Sequence, residues 1–227
     1  MKNNPFSLLT KFEKNLWISS VCVVLLSYVL SDFTGLANTV CSLIGVTALI
    51  FVAKGHVLGM ILCIVFAAFY GVISLHFRYY GELITYAGMT LPMNVFALVS
   101  WLGHPYKDTD EVRVAKMTVG QSVFMWLSTV VVTVIFYFIL NALNTPNIYP
   151  STLSVSTSFL AVALTYFRSP YYALAYAAND TVLIVLWTAA CFTDTSYIPM
   201  VMCFCMFLVN DLYGFYNWKR MQKRQLN

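Results

Sequence analysis

Charge is what this sequence has least of. Only 10% of its 227 residues are Asp, Glu, Lys or Arg, and 60% are hydrophobic, against about 25% charged in an ordinary soluble domain. Such a chain cannot cover a water-facing surface, so it reads as an integral membrane protein. Other absences narrow the function. No GxxxxGK[ST] phosphate loop occurs and no lysine follows a glycine, so ATP-driven transport would need a second chain. No HExxH pair occurs, and His56, His76 and His104 fall in separate loops. No zinc site and no cofactor are therefore expected. No lysine lies mid-span to carry a retinal. The first apolar run lacks a small-residue cleavage site and is expected to stay attached. All six cysteines lie inside apolar runs, where a thiol packs as a small hydrophobe. The longest polar stretch, 103–121, is too short for a soluble domain.

What is present is a series of long apolar runs. They predict eight membrane helices at about 16–31, 36–53, 57–75, 83–102, 122–142, 152–167, 171–191 and 197–215. The breaks carry turn and interface chemistry: Ser31-Asp32, Lys54-Gly55-His56, Arg78 through Gly81, Asn144-Thr145-Pro146, Arg168-Ser169-Pro170 and Asp194-Thr195-Ser196. Barrel strands would alternate apolar and polar residues; these runs are apolar all round, and the class is all-α. An even number of crossings puts both termini on one side, together with every Lys and Arg of the 13 except Arg78. That asymmetry predicts cytoplasmic termini. The pI near 8.7 is thus a topology signal and points to no nucleic-acid partner.

The second half repeats the first. Sliding it by 117 residues pairs Phe69-Tyr70 with Leu186-Trp187, Tyr80 with Tyr197, Asn94 with Asp211 and Trp101 with Trp218. A small gap pairs Lys54-Gly55-His56 with Arg168-Ser169-Pro170. Helices two to four and six to eight are the units, and helix five joins them and is expected to lie against both. An odd number of helices plus one linker makes the units parallel, one of the transporter architectures. The expected organisation is an N-terminal segment with an extra helix at 1–35, bundles at 36–103 and 146–218, a loop and linker helix at 104–145, and a basic tail at 219–227.

Asp180 and Asp211 are the ionisable residues well inside spans, each costing about 2.5–3.5 kcal/mol at a helix centre. Tyr172, Tyr176, Asn179, Asp180, Leu183 and Trp187 share roughly a 100° arc of one helix. Helix four presents Tyr86, Thr90, Met93, Asn94, Ala97 and Trp101 together, with Pro92 expected to kink it. Helix eight presents Asn210, Gly214, Asn217 and Trp218, flanked by Asp211. Amides and acids in a bundle also serve as glue between helices. Trp101, Trp218 and Tyr80 are expected at headgroup level as interface anchors. A pocket of rings, amides and acids suits a small, flat, polar solute, a cation especially.

In its two three-helix units around a linker, in Asn179-Asp180 through Trp187, and in the ending Asn210 to Arg220, the sequence resembles the PnuC family of nicotinamide riboside transporters, bacterial relatives of the SWEET sugar carriers. The resemblance spans about 36–220. It implies facilitated diffusion of nicotinamide riboside across the inner membrane, trapping by a cytoplasmic riboside kinase, and a homotrimer in the lipid bilayer. The first helix of each unit lacks the proline of the sugar carriers. The residues placed on the substrate are Trp187 and Tyr176 against the ring, Asn179, Asn94 and Asn210 on amide or hydroxyl groups, Asp180 or Asp211 on ribose or in a gate, and Gln121. Thiamine, another cationic vitamin, is the alternative solute. An intramembrane aspartyl protease is the rival activity, though the YD and GxGD contexts of such enzymes are missing.

Overall fold

The computed structural model describes residues 4–30, 36–76, 80–107, 109–145, 147–192 and 198–226. Ser31-Asp32, Arg78, Pro146, Asp194-Thr195-Ser196 and Tyr197 lie outside the described residues. Eight long helices run through the rest: α1 Lys11–Leu30, α2 Leu36–Ala53, α3 Val57–His76, α4 Tyr80–Leu102, α5 Val119–Ala142, α6 Ile148–Tyr166, α7 Tyr172–Cys191 and α8 Ile198–Leu226. Among the described residues, seven are long and apolar enough to cross a membrane. The other, α7, is as long as α3 at 20 residues but carries Asn179 and Asp180.

Polar caps extend several helices past their apolar limits. α1 begins at Lys11 because Thr10 and Glu13 cap it reciprocally: the Thr10 N–H donates to Glu13 Oε2 at 2.6 Å and the Glu13 N–H to Thr10 Oγ1 at 3.3 Å. Thr118 and Gln121 do the same for α5. α8 continues through the basic stretch to Leu226, with Lys223 and Arg224 in its last turn, where cations suit the helix dipole. α4 carries a π-helical segment, Ile84–Thr90, directly before Pro92. Proline has no N–H to offer the Gly88 carbonyl and its ring crowds that turn. The backbone there steps to longer bonding, the Leu91 N–H reaching the Tyr86 carbonyl.

The two units are α2–α4 and α6–α8. They meet crosswise, α2 on α8 and α4 on α6, so the third helix of each unit packs on the first helix of the other. α5 lies along α6 and touches the first unit where Leu140 packs with Met89. α1 stands outside both units against α2 and α8. Four polar contacts fasten it there: Glu13 accepts from Lys54 Nζ at 3.1 Å and from the Tyr213 hydroxyl at 2.8 Å, Trp17 Nε1 donates to Thr47 Oγ1, and Asn210 Nδ2 donates to Ser20 Oγ.

Trp101 and Trp218 are not interface anchors. Both are fully buried, with ring centroids 5.3 Å apart. Each indole N–H crosses to the other unit: Trp101 Nε1 donates to the Thr165 carbonyl at 3.0 Å and Trp218 Nε1 to the Val52 carbonyl at 2.8 Å. The acceptors sit at the ends of α6 and α2, so the two bonds are the same contact made twice about a pseudo-two-fold axis. Tyr80, 47% exposed, keeps the outward position expected of an anchor.

The turns after α2 and α6 repeat the same hydrogen bonds. Gly55 and His56 donate to the Val52 and Phe51 carbonyls, as Arg168 and Ser169 donate to those of Thr165 and Leu164. Gly55 and Arg168 both take positive φ, +69° and +55°. This moves the repeat one residue from the sequence alignment, pairing Gly55 with Arg168 and His56 with Ser169. The loop before α5 crosses both turns, the Val112 N–H donating to the Gly55 carbonyl and the Ala115 N–H to that of Arg168. Gln225, near the end of α8, holds the same loop by accepting from the Val114 N–H and donating to the Val112 carbonyl.

His56 caps α3, its Nδ1 accepting from the Leu58 N–H at 3.1 Å, which requires an unprotonated Nδ1. Burial holds this imidazole below its ordinary value of 6.5, while Asp110, 3.9 Å from Nε2, pulls the other way. A depressed folded-state pKa means the unfolded chain binds the proton more readily. The stabilisation is therefore complete above the ordinary value and is lost as pH falls through the folded one. The melting temperature in detergent is expected to drop between about pH 7.5 and 5, and less in His56→Asn, whose amide oxygen accepts the same bond at either pH. Equal slopes in the two proteins would contradict this.

Candidate functional site

Asp180 on α7 and Asp211 on α8 come together. Each is 3% exposed, and their carboxyls are in hydrogen-bond contact. The first unit supplies the opposite wall, with Tyr86 of α4 within electrostatic reach of Asp180 and Cys63 of α3 within reach of Asp211. Tyr172 and Tyr176 flank Asp211 from α7. The pair therefore sits where the two units face each other. Asp180 Oδ2 has no hydrogen-bond partner, a costly arrangement for a buried carboxyl oxygen and one that calls for an explanation. An acceptor without a donor, next to phenol rings, is suited to a hydroxyl, an amide N–H or a cation.

The expected amides divide. Asn94, the residue of the first unit that corresponds to Asp211, is buried with Oδ1 unpaired. Asn210 is buried with Oδ1 equally unpaired, but its Nδ2 is spent on Ser20 Oγ at 2.9 Å and on the Met206 carbonyl at 2.8 Å. It faces α1, while Asp211 beside it faces Asp180. Asn179 Oδ1 accepts three hydroxyls of α6, those of Ser154, Thr157 and Ser158, at 3.0–3.1 Å. That is the bonding of glue between helices. Trp187 packs with Leu183, Phe204 and Phe207, and the Tyr176 ring lies 6.2 Å from that of Tyr172. Gln121 stays away from these residues, exposed at the start of α5 with its side chain in the capping box.

Tyr70 and Glu82, which the sequence expectation did not place at the site, join it beside Tyr86 of the helix-four face. Tyr70 and Tyr86 stand with ring centroids 4.4 Å apart; Phe66 packs on both, and Phe207 on Phe66. Glu82 lies within electrostatic reach of both phenols. The signal for Tyr70 is its alignment with Trp187 across the repeat, and the signal for Glu82 its position one turn before Tyr86. Towards the termini, Trp101, Trp218 and Tyr172 form a buried layer, Tyr172 lying 4.8 Å from Trp218. The described conformation is thus closed beneath the carboxyl pair. A cavity of about 290 Å³ opens elsewhere, on the terminal side of the molecule, between Glu13, Lys54, Tyr213, Tyr216, Arg220 and Arg224. Neither aspartate lines it.

Residues 35–220 match the model of a family described as nicotinamide mononucleotide transporter. A curated relative, the nicotinamide riboside transporter PnuC of Neisseria mucosa, is 24% identical over 228 residues, covering 98% of this chain and 86% of the relative. A crystal structure of the vitamin B3 transporter PnuC shares the fold with a TM-score of 0.81 at 22% identity, over 96% of this chain and 94% of that one.

Proposed function

We propose, for a chain that belongs to the nicotinamide mononucleotide transporter family, that the solute carried is the riboside and that it passes by facilitated diffusion between the two units. The observation that carries this is the Asp180–Asp211 pair at the unit boundary. Nicotinamide riboside brings a pyridinium cation, an amide and a ribose. The cation suits the phenol faces of Tyr86, Tyr172 and Tyr176, and the hydroxyls suit the unpaired Oδ2 of Asp180. The mononucleotide adds a phosphate. Lysines and arginines of the described residues sit at span ends and in loops, leaving none at the pair to neutralise it.

The two facing aspartates are also what the protease rival would need, but the family is one of transporters. The charge distribution supports termini in the cytoplasm, and the family resemblance a bacterial inner membrane. With that orientation, solute enters from the side of Glu82 and leaves past the Trp101–Trp218 layer. A cytoplasmic kinase that phosphorylates the riboside makes entry one-way, since the product no longer fits. By family resemblance the working unit is a homotrimer.

Calorimetry on the purified protein with nicotinamide riboside, its mononucleotide, thiamine and glucose tests the assignment. Binding of the riboside at least about 10-fold tighter than the other three is expected, a margin of about 1.4 kcal/mol. Tighter binding of the mononucleotide or thiamine would overturn it. Uptake by liposomes containing only this protein is expected to proceed without a proton gradient; a requirement for one would replace facilitated diffusion with symport.

A further inference from the structure

Glu82 is the carboxylate that the carrier reading has not yet used. It lies in the first turn of α4, at the end of the bundle opposite the termini, and is partly buried. Among the described residues no hydrogen bond or ion pair holds it; Arg78, four residues earlier in the sequence, lies outside them. Its carboxyl lies within electrostatic reach of the Tyr70 and Tyr86 phenols. Those rings are tilted by 50° with centroids 4.4 Å apart, and Tyr86 is in turn within electrostatic reach of Asp180, whose Oδ2 is unpartnered at 3% exposure. Tyr86 rides on the π-helical segment Ile84–Thr90. Glu82 and Tyr86, four residues apart, project from adjacent turns of one face. An acid, a ring pair and a second acid thus follow one another from the mouth to the centre.

We propose that Glu82 is a specificity-determining residue that recruits the cationic ring of the solute at this mouth and passes it across Tyr70 and Tyr86 towards Asp180. A carboxylate in a partly desolvated mouth attracts a cation more strongly than one in bulk water, and rings behind it offer the cation its next site before any hydrogen bond forms. A first-turn acid that merely favours the helix dipole would act on stability and would not distinguish a charged solute from a neutral one. The proposal rests on the carrier reading above and assigns within it the source of charge selectivity.

The test uses the full chain in liposomes and two solutes: nicotinamide riboside and its dihydro form, which a hydride added to the ring leaves uncharged while the amide and ribose are kept. In Glu82→Gln the KM for the cation is expected to rise on the order of 10-fold, with the KM for the dihydro form unchanged. Glu82→Asp is expected to recover most of the loss. The difference between solutes is expected to shrink at high salt, because the carboxyl is only partly buried. Equal changes for the two solutes would make Glu82 structural, and no change for either would remove it from the path. If the unsubstituted protein carries the dihydro form and not the cation, the recruiting role fails while the carrier stands. If it carries neither, the carrier reading itself fails.

Discussion

Alanine at Trp218 is expected to cost the fold about 3–5 kcal/mol, the usual penalty for deleting a large buried ring. Phenylalanine is expected to cost about 1–3 kcal/mol, because it fills most of the space but leaves the Val52 carbonyl without its donor. The same two numbers are expected at Trp101, where the orphaned acceptor is Thr165. The near-equality is the informative part. If the two bonds are one contact repeated about a pseudo-two-fold axis, their losses match. Because the rings touch at 5.3 Å, the double Phe variant should deviate from the sum of the singles by more than about 0.5 kcal/mol. Thermal unfolding in detergent of the four Trp variants and the double Phe protein gives these values. A Trp101 series that proves neutral beside a costly Trp218 series would show that the units are not equivalent at this layer.

The number of helices, the parallel units and the separate first helix were legible because hydropathy and loop charge are properties of single residues and their spacing. That Asp180 and Asp211 turn inward was legible for a related reason, since a carboxyl deep in a span has few stable positions other than facing another polar group. The Trp pair was not. A tryptophan near the end of an apolar run is usually an anchor at headgroup level, and only the crosswise packing of α2 on α8 and α4 on α6 turns both indoles inward. Glu13 and Glu82 escaped because both lie just outside the apolar limits, whereas a cap starts α1 at Lys11 and an α-helical turn starts α4 at Tyr80. Asn179 and Asp180 are sequence neighbours, yet the turn of about 100° between them sends one amide to the hydroxyls of α6 and one carboxyl to α8. Composition could not divide those tasks.

Uptake and stability are expected to separate at the aspartate pair. Asp211→Asn keeps a hydrogen-bonding group opposite Asp180 and removes the second carboxyl. It is expected to fold normally and to lower riboside uptake by about 10–100-fold, the value of one charge-assisted hydrogen bond of about 1.5–3 kcal/mol. Asp211→Leu leaves the Asp180 carboxyl buried with neither oxygen paired, and a loss of about 1–3 kcal/mol in stability is expected. Replacing both acids by leucine removes the unpaired group and exchanges two buried carboxyls for apolar volume, a change that is often neutral or stabilising. The double variant is therefore expected to melt above either single one and to carry no riboside. A pair that served only as glue would behave differently: the double variant would recover transport together with stability. Thermal unfolding and liposome uptake measured on the same four preparations decide between the two, and transport by the double leucine protein would move the solute path away from the boundary between the units.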